Sequence, residues 1–202
     1  MLSLAVCAVV LACAAFALMT YKDRTHVSSP PHAPGPDVNR EFAVVYYSRS
    51  GHSEAVAREV ARKFHAPIAR IDAEYPRSLT GQSKAAADAR AAALPQLQVE
   101  PHDLAPAGCL YLVSPTWLFR PAPPLWAFVE NVDIHDQRIV LVMTGNSRYE
   151  QDQLDAFAER IRAKGGQLVR HVFLRRGRFF WQMSREELLQ QTREQVGPCP
   201  MD

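Results

Sequence analysis

A short segment of the chain, residues 48–53, combines hydroxyl groups, a glycine and the start of a predicted helix. Its members are Ser48, Arg49, Ser50, Gly51, His52 and Ser53. Hydroxyls at alternate positions can donate to an oxyanion, and glycine lets the backbone approach it closely. The N–H groups and the dipole of a helix start add positive potential without any cationic side chain. The segment therefore predicts an oxyanion cradle, and the alternative is a serine-rich turn in which Ser53 caps the helix.

The cradle follows neither of two common phosphate-binding motifs. It lacks the Gly-Lys-Ser/Thr of a P-loop and the Gly-x-Gly-x-x-Gly of a dinucleotide fold. The chain also has no Gly-x-Ser-x-Gly elbow, no identifiable Cys/His nucleophile pair and no His, Cys or acid cluster at metal spacing. We therefore predict neither a catalytic side chain nor a metal ligand.

A proline-braced segment, residues 114–124, offers a flat aromatic surface. Its central residues are Pro115, Thr116, Trp117, Leu118 and Phe119. An indole held on a rigid loop can stack on a planar ligand, which adds roughly 1 kcal/mol beyond the burial of area. The alternative is that Trp117 fills the core of its own domain.

A third segment, residues 144–149, adds Thr144, Gly145 and Tyr149. The tyrosine is either a second stacking residue or an exposed side chain before a helix. Each of the three segments directly follows a β-favouring run, so their relative position depends on the sheet that those runs form.

Strand and helix patterns alternate along the chain from about residue 41. β-favouring runs predict strands at 42–47, 68–71, 109–114, 138–144 and 168–174. Apolar residues with helical spacing predict helices at 53–64 and 152–164, and an alanine-rich run predicts one at 83–93. A further helix is predicted at 124–132, with proline tolerated in its first turn, and Ser184 with Glu187 forms a capping box that opens a last helix. This alternation predicts a parallel sheet with helices on both faces. Such sheets bind ligands beyond the carboxyl ends of their strands, where all three segments fall.

Residues 44–64, reading VVYYSRSGHSEAVAREVARKF, resemble the first strand, phosphate loop and first helix of the flavodoxin-like FMN-binding family. The family pattern Thr/Ser-x-Thr/Ser-Gly-x-Thr/Ser is matched at Ser48, Ser50, Gly51 and Ser53, and His52 stands where asparagine is most usual. The second segment is similar to the family's Pro-Thr/Ile-Trp-Trp-Gly-x-x-Pro-x-Pro loop. It departs from that loop at Leu118-Phe119-Arg120, and Arg120 could face a flavin carbonyl or an anionic substrate.

The resemblance implies a doubly wound five-stranded parallel sheet of order 2-1-3-4-5, with helices on both faces. It also implies FMN as the cofactor, with its phosphate held by 48–53 and its ring bordered by 115–119, Thr144, Gly145 and Tyr149. The function implied is redox chemistry, either as an NAD(P)H or quinone oxidoreductase or as an electron-transfer protein. Partners would be FMN, a redox protein or a small acceptor such as a quinone, and a second copy in a homodimer. A flavodoxin-like scaffold without flavin, serving as a membrane-tethered interaction module, is the alternative.

The charge balance and the N-terminus set the cellular context. The net charge of +2 and pI of about 8.4 are too mild to make nucleic acid the main partner. Because electron carriers of the family tend to be acidic, this balance favours an enzyme, or a carrier with a membrane partner. Residues 1–20 are apolar and predict a membrane anchor with the domain in the cytoplasm, and export after signal cleavage is the alternative. The remaining predicted units are a proline-rich linker at 21–40, a folded domain at 41–197 and a tail at 198–202.

Two further features receive plain structural interpretations. The four cysteines, Cys7, Cys13, Cys109 and Cys199, form no Cys-x-x-Cys pair and are predicted to be unpaired thiols. A basic and aromatic run at 170–181, which includes Arg175 and Arg176, could contact anionic lipid. We favour instead a solvated loop whose aromatic residues pack under the last helix.

Overall fold

A computed structural model describes residues 2–24, 28–30, 32, 38–100, 107–178 and 181–200. The strands are β1 (Phe42–Tyr46), β2 (Ile68–Asp72), β3 (Gln98–Glu100), β4 (Cys109–Trp117), β5 (Arg120–Pro121), β6 (Arg138–Gly145), β7 (Gln167–Arg175), β8 (Gly177–Arg178) and β9 (Trp181–Gln182). The helices are α1 (Leu2–Arg24), α2 (His52–Phe64), α3 (Leu79–Arg90), α4 (Pro123–Asn131), α5 (Gln151–Ala163) and α6 (Arg185–Gln195).

The main sheet has the order β3-β2-β1-β4-β6-β7, with β5 paired to β4. Strands β2, β1, β4, β6 and β7 are parallel, whereas β3 is antiparallel to β2. The five parallel strands follow one another in the predicted order 2-1-3-4-5, which confirms the predicted fold class. The short strands β3 and β5 and the β8–β9 hairpin were not predicted, because segments of two or three residues carry no periodicity.

Helices cover both faces of the sheet, as the near-continuous apolar runs in its strands require. On one face, α3, α4 and α5 pack through residues such as Ala85, Phe128 and Phe157. On the other face, α2 and α6 pack through Val56, Val60 and Leu188 against alternate residues of the strands. We call the second side the α2 face.

Helix starts agree with the capping signals in the sequence. The predicted capping box opens α6, since Ser184 accepts from the Glu187 N–H and the Glu187 side chain accepts from the Ser184 N–H. Helix α3 begins earlier than its alanine-rich run suggested, because the Ser78 side chain accepts a hydrogen bond from the Gly81 N–H at 3.2 Å.

The predicted membrane anchor is wrong. In the part of the chain that the structure describes, no helix has both the length and the apolar character that a membrane span requires. The membrane-anchored location predicted from residues 1–20 is corrected accordingly.

Part of the predicted linker lies on the domain. Arg58 of α2 donates to the carbonyl of Ser29 at 2.8 Å and also to that of Pro30. Arg185 of α6 donates to the carbonyl of Ser28 at 2.6 Å. A proline-rich segment has few backbone hydrogen bonds of its own, so its carbonyls are available to these arginines. Linker residues 25–27, 31 and 33–37 lie outside the described residues.

The cysteine prediction is half wrong. Cys109, at the start of β4, is joined by a disulfide to Cys199 in the C-terminal tail, 90 residues later. Both residues are buried, whereas Cys7 and Cys13 are free and exposed. The pair escaped prediction because its spacing matches no motif, and only the packing of the tail under the sheet brings the two residues together. Arg138 Nη1 fixes that tail by donating to the Pro200 carbonyl at 2.8 Å.

Candidate functional site

A cleft of about 280 Å³ lies beyond the carboxyl ends of β1, β4 and β6. The chain passes from β1 to β2 on one side and later returns to β4 on the other, so strand order reverses at this point, which is where parallel sheets bind ligands. Twelve of the predicted site residues line the cleft, namely Ser48, Arg49, Ser50, His52, Ser53, Pro115, Thr116, Trp117, Leu118, Phe119, Thr144 and Gly145. The fold thus brings all three predicted segments together.

The first segment forms a tight turn into α2. Gly51, the N-cap residue, has φ 90°, a left-handed conformation that glycine adopts without steric cost. Its N–H donates to Ser48 Oγ at 3.0 Å, which closes the turn. Because Gly51 occupies the N-cap position and Ser53 lies inside α2, the alternative in which Ser53 caps the helix is not observed. Glycine offers no side-chain acceptor to the first turn. The N-cap residue therefore leaves the N–H groups of the first turn uncapped by its own side chain.

A buried pair of hydroxyls joins the first segment to the third. Ser53 Oγ and Thr144 Oγ1 lie 2.8 Å apart, and the two residues are 2% and 3% exposed. Two hydroxyls carry two O–H donors, and their mutual hydrogen bond uses only one. Because both residues line the cleft, the second donor is available to an acceptor there.

Trp117 is held by two neighbouring aromatic rings. It meets Tyr47 edge-to-face at 5.5 Å and Tyr75 at 4.9 Å between ring centroids. Burial raises the pKa of both tyrosines above its usual value, so both stay neutral over the physiological range. The indole thus packs on the domain and also lines the cleft, and its stacking on a planar ligand stays a prediction.

The turn between β4 and β5 is made by Leu118 and Phe119. Both have positive φ, 49° and 66°, in a two-residue hairpin loop where Asn and Gly are the usual residues. The Phe119 carbonyl accepts from the Glu150 N–H at 2.9 Å, and the guanidinium of Arg148 lies 4.6 Å from the Phe119 ring centroid. These contacts attach the second segment to the third.

Gly145 permits a close approach of three elements at the cleft. A Cβ atom there would overlap Thr116 Oγ1 and the ring of Phe173. The glycine predicted from the third segment is therefore required by packing, independent of any ligand.

Two residues lie away from the positions predicted for them. Tyr149 packs edge-to-face on His171 at 4.6 Å and on Phe173 at 5.3 Å, and it does not line the cleft. Arg120 turns to the far side of its hairpin, with its guanidinium 4.6 Å from the Trp126 ring centroid and Nη1 donating to the Ala89 carbonyl at 3.3 Å. Burial lowers the pKa of Arg120 from its usual value. The chain reverses direction at Leu118–Phe119, so Arg120 of β5 and the cleft-lining residues of β4 lie on different sides of the hairpin.

Six lining residues were not predicted as site residues: Gln82, Ala85, Ala86, Asn146, Ser147 and Arg176. Three of them come from α3, a helix whose sequence carries no ligand-binding pattern. Asn146 and Ser147 lie within the third predicted segment. Arg176 follows β7 and was assigned to the basic run at 170–181, in which its neighbour Arg175 is exposed while Arg176 is only 8% exposed.

Comparison with solved structures places the fold among flavodoxin-like flavoproteins. A flavoprotein from Lactobacillus acidophilus in complex with FMN aligns with a TM-score of 0.57 at 16% identity, over 65% of this chain and 91% of that one. A provisionally assigned flavoprotein from Bacteroides uniformis aligns with a TM-score of 0.60 at 16% identity, over 75% of this chain and 97% of that one. The Trp repressor binding protein from Bacillus subtilis aligns at 0.53 and 12% identity, over 77% and 99%.

These likenesses are structural. No protein-family model matches the sequence, and no curated protein is significantly similar to it. The chain has a flavodoxin-like fold, with a cleft at the switch point of its sheet.

Proposed function

We propose that this chain binds FMN in the cleft and works as a flavodoxin-like redox protein, either as an NAD(P)H or quinone oxidoreductase or as an electron-transfer protein. One observation carries the proposal: the phosphate-loop turn at 48–53 and the Trp117 loop open into the same cleft. A nucleotide needs both an anion cradle and a flat apolar border, and each is already formed. The alignment with a flavoprotein in complex with FMN adds support.

The residues around the first turn suit a phosphate. The start of α2 contributes N–H groups and the positive end of its dipole, and Ser48 and Ser50 contribute hydroxyls. The spare O–H of the Ser53–Thr144 pair is a buried donor that an anionic oxygen would satisfy. These groups would hold the phosphate of FMN.

The isoalloxazine ring would lie between the Trp117 loop and the third segment. Trp117 offers an aromatic surface, and Thr144 with Gly145 forms the opposite border. Bound FMN would supply the electron-transfer chemistry, while the protein binds it, orients it and limits its contact with water. The edge-to-face packing of Trp117 on Tyr47 and Tyr75 keeps the indole in place before any ligand arrives.

The decisive experiment is titration of the purified full chain with FMN. We expect a yellow protein, or quenching of FMN fluorescence on addition of the colourless one. Ser50→Glu should abolish binding, because a carboxylate in the cradle would repel the phosphate at close range. Ser83→Glu is the matched control, since it makes the same change on an exposed position of α3. Retained affinity in Ser50→Glu would refute this phosphate position.

The electron donor and acceptor follow from a second measurement. Reduction of the bound flavin by NADH or NADPH, followed by reoxidation with a quinone, would identify an oxidoreductase. If the bound flavin exchanges electrons with none of these reagents, the result would favour an electron-transfer protein. A chain that binds no FMN at all would favour the scaffold without flavin.

A further inference from the structure

The cleft contains a buried arginine that the phosphate-loop motif does not account for. Arg176 follows β7, lines the cleft and is 8% exposed. Its position is fixed through the backbone, because its N–H donates to the Gly145 carbonyl at 2.7 Å and its carbonyl accepts from the Met183 N–H at 2.8 Å. The residue is therefore held against the end of β6, next to the third segment.

Strand alternation puts Arg176 on the same side of the sheet as the phosphate-loop turn. Val172 and Leu174 of β7 pack on the α2 face, and Arg176 continues that alternate series. On the neighbouring strand, Thr144 continues the series of Val140 and Val142, and its hydroxyl reaches Ser53 in the first turn of α2. Arg176 thus lies on the face from which α2 approaches the cleft.

The charge of the cleft is one-sided. Among its described lining residues are two arginines, Arg49 and Arg176, and no carboxylate. Arg49 serves to hold the wall, since its Nη2 donates to the carbonyls of Pro76 at 2.9 Å and Ser78 at 3.3 Å. Guanidinium groups stay charged in proteins, and their planar fork of N–H donors matches the oxygens of a phosphate. A cationic lining without carboxylates favours an anionic ligand in this cleft.

We propose that Arg176 is an anion-binding residue of this cleft, which adds a fixed positive charge to the phosphate cradle formed by the first turn of α2. The identity of the ligand as FMN rests on the proposed function. The consequence is selectivity: the cleft should prefer a phosphorylated flavin over riboflavin by more than backbone N–H groups and hydroxyls alone would give.

The test compares FMN and riboflavin binding by fluorescence quenching in the full chain and in three variants. Arg176→Gln should weaken FMN binding about 10- to 100-fold, the loss expected for charge-assisted hydrogen bonds to a phosphate. It should leave riboflavin binding unchanged. Arg176→Lys, which keeps the charge without the planar fork, should weaken FMN binding about 3- to 10-fold. Arg175→Gln, the same change at the exposed neighbour, should have little effect on either ligand.

A second readout uses inorganic phosphate alone. Phosphate should raise the Tm of the wild-type chain and of Arg175→Gln, and it should not raise that of Arg176→Gln. If wild type fails to bind FMN but shows this pattern, the proposed function is overturned and the anion-binding assignment is supported. If phosphate protects none of them and FMN does not bind, both proposals fall.

Three results would overturn the assignment while FMN binding stands. The first is equal FMN affinity in wild type and folded Arg176→Gln. The second is an equal loss of FMN and riboflavin affinity, which would mean that Arg176 only braces the loops. The third applies if Arg176→Gln does not fold, and it is an equal loss of FMN and riboflavin affinity in Arg176→Lys.

Discussion

At the residue scale, His171 on β7 is a half-buried base whose Nε2 is shielded from solvent, beside an aromatic ring. Its Nε2 has no hydrogen-bond partner among the described residues, and Tyr149 covers it at 4.6 Å. Desolvation lowers the pKa of His171 from 6.5 to about 4. The neutral imidazole is therefore the form that the folded chain accommodates.

This pKa predicts a loss of stability in mild acid. Between pH 6.5 and 4 the unfolded chain binds a proton at His171 that the folded chain does not, so the free energy of unfolding falls as the pH falls. This loss of unfolding free energy is negligible at pH 7 and grows as the pH falls toward 4. His171→Phe should flatten the decline in Tm between pH 7 and pH 5, whereas His135→Gln, at an exposed position, should leave it unchanged. Identical pH profiles in wild type and His171→Phe would contradict the argument.

The residues that line the cleft could be predicted from the sequence where the signal is local. The turn at 48–53 needs hydroxyls, a glycine and a helix start in consecutive positions, so its pattern is visible in the sequence. Arg176 carries no such pattern, because its burial depends on the pairing of β6 with β7. Tyr149 failed for the same reason: its ring packs on β7 instead of entering the cleft.

At the element scale, the β4–β5 hairpin has a turn that its residues disfavour. Leu118 and Phe119 both adopt the left-handed conformation, which costs an ordinary residue about 1–2 kcal/mol. Leu118 is 40% exposed, so it gains little from burial. The contacts of Phe119 with Glu150 and Arg148 hold the turn in this conformation.

Relieving this strain should stabilise the protein. Leu118→Asn should raise the free energy of unfolding by about 0.5–1 kcal/mol, because asparagine tolerates positive φ better than leucine. Leu118→Val should lower it, because β-branched residues tolerate that region least. Urea denaturation of the flavin-free chain measures both changes. A less stable Leu118→Asn variant would show that the leucine side chain contributes more than its exposure suggests.

The elements themselves were predictable in proportion to their length. All five parallel strands and the helices between them were predicted from β-favouring runs and helical spacing, with boundaries shifted by a few residues. Strand β4 runs three residues beyond its predicted end because β5 pairs with it, and this pairing depends on a turn whose residues give no turn signal.

At the scale of the whole molecule, the Cys109–Cys199 disulfide closes a loop over six of the nine strands and the last three helices. It lies at the amino end of β4, so it is at the edge of the sheet opposite to the cleft, which lies beyond the carboxyl ends. Cross-links that close long loops restrict the unfolded chain most, which stabilises the folded one.

Reduction of this bond should therefore lower the free energy of unfolding by about 2–4 kcal/mol. Thermal unfolding with and without a reductant measures the effect. Cys199→Ser should show no response to the reductant, whereas a Cys7→Ser, Cys13→Ser double variant should respond as wild type does. Alkylation of four thiols in the unreduced, denatured chain would disprove the bond.

The same disulfide determines which part of the chain can extend under tension. If the two ends of the molecule were pulled apart, the 90 residues between the cysteines could not lengthen while the sulfur bridge held. Roughly 300 Å of extensible polypeptide would be withheld. The three strands that border the cleft would then respond differently. Strand β1 could be pulled away from the sheet, whereas β4 and β6 would stay within the loop that the disulfide closes.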